Sequence, residues 1–539
     1  MARKRLFLRS NTKSYIRNRK RKNTKNTMRE MPPQHSGEDF ERLSKNVFGR
    51  RPVLPRILER FGSMSIRDYV TNAVAHAGDH VPAERKHPVI HAIQTEATRL
   101  YGKTVGEQAA QQIEKYYAIS TADHHGPIVH PSFTSADAAL ALPAATLPGY
   151  TNAIIFAGAV SMINPSFPGG FLLTKNFAHP PEKLPLFPAR KRALSVFGCS
   201  GYRQEHLSRV QGRVRAMAAH GIIPEAAAQR ATHVIHQTFG HEDLPTMDWY
   251  DDQVSIANRN FFNVLFADKP VDRPGLVYLS SERMLKRIMV DHHLKEKTLV
   301  HRILFDPVVR AAARRAFDGT FGGFTIAERK GTFFFWGAYA TKGVKKIVPL
   351  WEENGFLRSE DGILAIALEP DAIGAALERD EIRLSTLMDL LVWSLFHGLA
   401  CFGGTQQINY LTDMRQRYLQ MLTEIPDASS ADRQVADTVA PDLLIPYRLA
   451  FLKNTEGQYR PAGGLDIAAF GGADAWAAVC TTAENLTMGD AIATHIPELD
   501  CVIRHGVWGE TDDVAVKLDD VIAMRNLADR IQPVGTLAA

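Results

Sequence analysis

Short apolar runs alternate with longer helical patterns through the middle of the chain. Each run is bounded by turn residues, as buried strands are. The runs are Ala153–Ile163, Ala193–Phe197, Gly275–Leu279 and Gly362–Leu368. The helical patterns occupy His206–His220, Asp251–Phe266, Arg283–His293, Pro307–Phe317 and Leu384–Phe402. Strands that alternate with helices are typical of an α/β fold, so we expect a mixed, partly parallel sheet flanked by helices.

Composition and patterning divide the chain into five segments. Residues 1–30 form a basic tail, interpreted as disordered or as preceding the native start. Residues 31–121 form a helical N-terminal region, and residues 122–424 an α/β body that carries the candidate site. The polar segment 425–441 is interpreted as a linker or surface excursion. Residues 442–539 are expected to be a mixed region packed on the body.

The positive charge of the chain is confined to its first residues. Of the 64 Lys and Arg residues, twelve lie in residues 1–29, which hold no Asp or Glu, so the remainder is acidic. Such an arm can bind nucleic acid or direct targeting, and a solvated extension is the simpler interpretation. Only Phe7 and Tyr15 of the arm could stack on bases, which weakens the case for nucleic-acid binding. Because the remainder of the chain is acidic, nucleic-acid binding is not expected outside residues 1–29.

Cysteine spacing indicates a reducing compartment, and hydropathy predicts that no segment spans a membrane. The four cysteines are scattered and form no CxxC pair, which favours a cytoplasmic location. The most hydrophobic stretch, Leu384–Gly404, contains Asp389 and His397. A charged residue at mid-membrane is costly, so this stretch predicts a buried core helix and no membrane span.

The densest group of titratable residues lies in one short, stiff segment. It consists of Asp123, His124, His125 and His130. Pro127 prevents a regular helix through it, and the residue before a proline favours extended backbone. In an extended segment, Asp123 and His125 point one way and His124 the other. A turn at Gly126-Pro127 can bring His130 back toward them.

This segment is our candidate catalytic site, and the sequence leaves its chemistry open. His124, His125 and His130 could bind a divalent metal ion such as Zn²⁺, Fe²⁺ or Mn²⁺. One histidine could instead act as a general base, with Asp123 orienting its ring. The spacing matches no compact zinc signature. In a third interpretation, the segment is a turn with a purely structural role.

Polar residues that follow the predicted strands are candidates for substrate binding, because ligands of open α/β sheets bind beyond the carboxyl ends of strands. Asn164 follows the first run directly, and Glu282 follows the run Gly275–Leu279 after two serines. In the loop Gly198–Arg203, Cys199 or Ser200 could act as nucleophile and Arg203 could bind an anion. A tight turn with a buried thiol explains this loop equally.

An acidic cluster opens one predicted helix. Asp248 and Asp252 would share a face of that helix at a spacing of four residues, where they could bind Mg²⁺ or a cationic group of a substrate. Helix capping is the simpler interpretation. Asp291-His292-His293 is read as a charged helix end, and His397 as a core histidine.

These patterns together favour an enzyme. The chain has no Walker P-loop and no GxGxxG motif, so no nucleotide cofactor is expected. We expect a hydrolase or group transferase that acts on a small polar substrate and uses the segment at Asp123 for acid–base or metal chemistry. The alternative is a nucleic-acid-associated or capsid-like structural protein with a basic N-terminal arm.

Overall fold

The computed structural model describes residues 37–189, 194–269, 275–321, 324–341, 344–506 and 516–537. The basic tail, and with it the hypothesis of a nucleic-acid-binding arm, lies outside the described residues. Within them the fold is mixed α/β, with one parallel sheet and three further sheets. The predicted fold class is therefore confirmed.

Helices make up most of the regular structure. Their bounds are Gly37–Arg50, Val53–Phe61, Ile66–Ala75, Ala83–Tyr101, Lys103–Tyr116, Pro131–Ala141, Gln204–Ala219, Glu225–Phe239, Tyr250–Leu265, Ser281–Ile288, Leu299–Phe305, Pro307–Phe317, Pro370–Glu378, Thr386–Leu390, Gln407–Glu424, Ser430–Thr438, Gly464–Phe470, Ala475–Asn485, Met488–His505 and Leu518–Met524. Two short 3₁₀ turns cover Leu142–Ala145 and Leu244–Thr246, and two wide π-helical turns cover Met289–His293 and Leu391–Phe396.

The strands are short and fall into four sheets. Their bounds are β1 Ala118–Ser120, β2 Asn152–Ala157, β3 Gly170–Leu173, β4 Glu182–Pro185, β5 Gly275–Ser280, β6 Phe335–Thr341, β7 Val344–Glu353, β8 Phe356–Ser359, β9 Ala365–Ala367, β10 Ile382–Leu384, β11 Ala400–Phe402, β12 Phe451–Asn454, β13 Tyr459–Pro461 and β14 Gly535–Leu537.

The parallel sheet organises the fold, with strand order β11-β1-β2-β5. Its register pairs Ala118 with Ala400, and Ile154 with Val277. Alternate residues of β2 enter two separate cores, Ile155 on one face and Ile154 on the other. Because both faces are covered, the strands are apolar without interruption, as parallel strands usually are.

The other three sheets of the described residues are separate from the parallel sheet. One has five antiparallel strands in the order β10-β6-β7-β8-β9, and β3 pairs with β4 as an antiparallel hairpin. A third sheet has the order β13-β12-β14. The aromatic segment 332–336 leads into the five-stranded sheet, where β6 begins at Phe335.

Two strand predictions differ from the structure, the first in the type of element and the second in burial. The run Ala193–Phe197, whose first residue lies outside the described residues, makes only an isolated bridge between Ser195 and Ser161 before Cys199 turns back onto Val196. The run at 362–368 contains β9, an outer strand of the antiparallel sheet, and Ala365 is exposed. The first run is apolar enough for a strand but lacks a partner strand, whereas the second pairs with β8 at the edge of its sheet.

The hydrophobic stretch at 384–404 begins as a buried helix, as predicted, but ends earlier. Its residues from Leu390 to Phe396 are buried. The chain then turns at Gly398, whose φ of +69° disfavours other residues, and enters β11. None of the described helices has the length and apolar character needed to cross a lipid bilayer.

We predict that Gly106 is required for the packing of two N-terminal helices. A Cβ atom at Gly106 would lie 2.0 Å from Oγ1 of Thr98 and 2.8 Å from the Gln94 carbonyl oxygen. The Gly106→Ala variant should lose about 1–3 kcal/mol of unfolding free energy, measured by urea denaturation. Gly212, in the helix Gln204–Ala219, has no atom within 4 Å of its Cβ position. Gly212→Ala should therefore be neutral or stabilising, and an equal loss in both variants would contradict the prediction.

Candidate active site

The carboxyl edge of the parallel sheet has the topology of a ligand site. The chain passes from β1 to β2 and β5 on one side, and β11 then adds on the other side of β1. In open α/β sheets, ligands bind at the point where the strand order reverses. The loop that carries Asp123 leaves β1 at this point, and His124 bridges to Gly158 after β2.

Two buried carboxyl groups lie close together behind this edge. Asp123 is 1% exposed, and Asp137, on the buried helix Pro131–Ala141, is fully buried. No hydrogen bond of normal geometry joins either carboxyl group to another described residue. Burial raises the pKa of both groups well above the usual range, and the charge of Asp123 raises that of Asp137 further. Two such groups favour sharing one proton.

Two tyrosine hydroxyl groups lie near this pair. The hydroxyl of Tyr278, a buried residue of β5, faces Asp123 and partly offsets the rise of its pKa. Burial raises the pKa of Tyr447, and the charge of Asp123 raises it further. Gly404 permits the close approach of Tyr447, since a Cβ there would lie 2.2 Å from the hydroxyl oxygen. Both tyrosines therefore remain protonated hydrogen-bond donors at neutral pH.

His124 is held as a neutral base. Its Nδ1 lies 2.8 Å from Oγ of Ser166, and this hydroxyl donates to Oδ1 of Asn164 at 2.9 Å. The serine oxygen must then accept from Nδ1–H of His124, which leaves the lone pair on Nε2. Burial lowers the pKa of His124 to about 4. Asn164, a predicted substrate-binding residue, thus positions His124 through Ser166.

His130 returns to the same region, as the turn at Gly126-Pro127 predicts. The rings of His124 and His130 each lie 5.4 Å from the ring of Phe133. Nδ1 of His130 accepts from the backbone N–H of Ser132 at 3.3 Å and caps the following helix. Burial lowers the pKa of His130 to about 4, so this ring is neutral at physiological pH.

His125 has a different environment. Its Nε2 lies 3.1 Å from the carbonyl oxygen of Asp251 and 3.3 Å from Oγ of Ser255. It therefore ties the loop to the helix Tyr250–Leu265. A cluster of three metal-ligating side chains that includes His124, His125 or His130 is not found among the described residues. The metal hypothesis for these histidines gains no support from the geometry.

A buried ion pair borders the site near His130. Arg448 donates to Glu498 and to the Tyr447 carbonyl oxygen, and Nδ1 of His495 lies 3.1 Å from Oε2 of Glu498. Burial alone would raise the pKa of Glu498, but Arg448 and His495 hold it well below its usual range. Tyr447 and His495 also line a small, mostly apolar cavity. Tyr447 is therefore shared between this cavity and the surroundings of Asp123.

The other strand-end acid, Glu282, is engaged by the protein itself. Its Oε1 accepts from the backbone N–H of Ala159 at 2.8 Å and from Nη1 of Arg383 at 3.0 Å. Arg383 also donates to the Ala159 carbonyl oxygen at 2.9 Å. Glu282 therefore joins the ends of β2 and β5 and stabilises the edge of the sheet.

The acidic cluster does not form the predicted helix face. The helix begins at Tyr250, so Asp248 precedes it and lies exposed, 3.8 Å from Nη2 of Arg203. Asp252 accepts two hydrogen bonds from Arg99, at 2.6 and 3.0 Å. A carboxylate bound in this way is held by an ion pair within the fold and does not point into open space.

The loop that carries Cys199, Ser200 and Arg203 lies at the surface. Sγ of buried Cys199 donates to the Ser200 carbonyl oxygen at 3.4 Å, while Ser200 is exposed and bridges to Trp249. Arg203 donates to the Met247 carbonyl oxygen at 2.9 Å. These contacts fasten two loops together and involve none of the side chains around Asp123.

Sequence reasoning missed the partners of Asp123. Asp137 had a signal, because it is the only charged residue in the run of small and apolar residues 133–142. Tyr278, Tyr447 and Glu498 had none, since each lies more than a hundred residues along the chain from the candidate segment. Only the folded sheet brings these groups together.

We predict that His130 lowers stability in acid. Its pKa in the folded protein, about 4, lies below the ordinary value of 6.5, so stability falls as the pH drops from 6.5 toward 4. His130→Asn keeps a helix-capping oxygen and removes the titration. Denaturation from pH 7 to pH 4 should show that this variant loses less stability than wild type, by up to about 3 kcal/mol. The exposed His241→Asn control should follow wild type, and identical acid profiles for all three proteins would refute the prediction.

Comparison with known proteins identifies no relative. No protein-family model matches the chain, and no curated protein matches it at a significant level. The candidate site is therefore interpreted from its own geometry.

Proposed function

We propose that this protein is a cytoplasmic enzyme, a hydrolase or group transferase, whose catalytic acid and base are Asp123 and Asp137. The observation that carries the proposal is the placement of two adjacent, buried carboxyl groups behind the reversal point of a parallel sheet, where Asp137 has no hydrogen-bond partner among the described residues and Asp123 faces only the Tyr278 hydroxyl. Buried polar groups are normally hydrogen-bonded, so exceptions of this kind call for a functional reason.

The two carboxyl groups can supply both the general acid and the general base of a hydrolysis or transfer reaction. One carboxyl group, protonated because the two cannot both ionise at low cost, donates its proton to the leaving group. The other, ionised, accepts the proton of the attacking water or hydroxyl group. His124 is a second candidate base, because its hydrogen bond to Ser166 uses Nδ1 and leaves the lone pair on Nε2. Tyr278 donates to the ionised form of Asp123.

The surroundings favour a small polar substrate. The cavity beside Tyr447 and His495 is small, and these two side chains with Thr405 supply its polar groups. The remaining wall is apolar and includes Leu444 and Ile492. A cavity of this size would admit only one compact group.

A third buried aspartate provides a structural contrast. Asp466 is 1% exposed and accepts from the backbone N–H of Thr174 at 2.7 Å and that of Gly463 at 3.0 Å. It therefore contributes to the fold through hydrogen bonds that Asp123 and Asp137 lack. Substitution of each by asparagine separates a role in catalysis from a role in stability.

The first test measures activity. We expect the wild-type protein to hydrolyse at least one substrate in a panel of small chromogenic esters, phosphates and glycosides. Asp123→Asn and Asp137→Asn should each lower kcat/KM by about 10²–10⁴-fold with the circular dichroism spectrum retained. Asp466→Asn should keep the activity of each folded molecule. Full activity in both site variants would reject the proposal.

The second test measures stability and needs no substrate. Because burial raises the pKa of Asp137 in the folded protein, its ionisation costs stability as the pH rises. We expect Asp137→Asn to be at least as stable as wild type near neutral pH, with an advantage that grows toward pH 9. Asp466→Asn should lose about 1–3 kcal/mol because it breaks satisfied hydrogen bonds. A comparable loss in Asp137→Asn would assign that residue a structural role.

A further inference from the structure

Three histidines converge at a place remote in sequence from the acid–base pair. His292 and His293 end the π-helical turn Met289–His293, and His397 follows the π-helical turn Leu391–Phe396. Wide turns of this kind are rare and are frequent at functional sites. We call these three residues the histidine triad.

The triad has the spacing of metal ligands. One ligating atom from each ring lies within 4.8 Å of the others, and no other such group of three is found in the described part of the chain. Nε2 of His293 lies 3.1 Å from Nε2 of His397. Ligands about 2.0–2.1 Å from one tetrahedral ion are separated by roughly this distance.

The opposite ring nitrogens have partners that orient the triad. Nδ1 of His397 lies 2.6 Å from the carbonyl oxygen of Arg85, and Nδ1 of His292 lies 3.1 Å from Oε1 of Glu296. A carbonyl oxygen and a carboxylate only accept, so both Nδ1 atoms carry the proton and both Nε2 lone pairs are available. Metal-binding histidines have outer partners of these two kinds.

His293 completes the set through a hydroxyl group that can donate or accept. Its Nδ1 lies 2.9 Å from Oγ1 of Thr298. Without a metal, the hydroxyl donates to Nδ1, and Nε2–H of His293 donates to Nε2 of His397. With a metal, the proton moves to Nδ1 and the hydroxyl accepts it, so Nε2 of His293 becomes a ligand with no net release of protons.

The charges around the triad permit a cation. The positive charge of Arg85 lies nearby, but Nη2 of Arg85 pairs with the buried carboxylate of Asp432. The carboxylate of Glu296 on His292 adds negative charge at the outer side of the triad.

We propose that His292, His293 and His397 bind one divalent transition-metal ion through Nε2 of each ring. A site of three imidazole nitrogens suits Zn²⁺, Co²⁺ or Ni²⁺, whereas Mg²⁺ and Ca²⁺ require oxygen ligands. His293 and His397 are fully buried and His292 is only partly so, which leaves the fourth position facing outward for water. The ion joins the ends of two helices and thereby stabilises the folded protein.

The test is titration of chelator-treated, full-length protein with Zn²⁺ by calorimetry and with Co²⁺ by visible absorption. We expect one equivalent to bind, with a tetrahedral Co²⁺ spectrum and a rise in Tm. His292→Gln changes the least buried ligand and should weaken binding by roughly tenfold or more. His124→Gln is the matched control, and its affinity should equal that of wild type.

A second variant keeps the proposal testable if His292→Gln does not fold. Glu296→Gln leaves all three ligands in place and removes the carboxylate beside His292, so affinity should fall by about 10–100-fold while the fold is kept. The proposal is overturned if wild type binds no stoichiometric metal, if His124→Gln weakens binding as much as His292→Gln, or if both His292→Gln and Glu296→Gln bind as wild type does.

Discussion

Parallel pairing of β1 with its two neighbours is the constraint on which the rest of the structure depends. β1 has only three residues, yet it joins β2 on one side and β11 on the other. Because parallel strands end at one edge, this pairing gathers the loop at Asp123, the loop at Gly404 and the end of β5 in one place. Both faces of the sheet are covered, so several of the polar groups that follow the strands, among them Asp123 and His125, are buried.

The buried carboxyl groups near this edge are of two kinds, those in ion pairs and those without a cationic partner. Asp252 is neutralised by Arg99, and Glu282 by Arg383, so these ions support the packing of helices and strands. Asp123 and Asp137 receive no such partner among the described side chains. Replacing a paired ion breaks a bond, whereas an unpaired carboxyl group costs stability as it stands. Because of this difference, we interpret Asp123 and Asp137 as catalytic residues and the two ion pairs as structural.

The sequence predicted the elements that depend on local pattern. β2 and β5 overlap their apolar runs, β2 beginning one residue early and β5 ending one residue late, and the helix Pro307–Phe317 has its predicted bounds. β1 and β11 could not be predicted, because three residues carry too little pattern and their partners are distant in sequence. The same distance concealed most of the site: the segment at Asp123 and His124 was visible, whereas Tyr278 and the triad partner His397 become neighbours only through tertiary packing.

The pairing of Ala118 with Ala400 also has a consequence for how the chain folds. The two residues are about 280 positions apart, so β1 must wait until most of the chain has been synthesised before its second edge is covered. Until then β1 presents unpaired backbone groups beside exposed apolar side chains, a state prone to aggregation. Folding of this protein should therefore be slow to complete, with pairing of β11 as a late step.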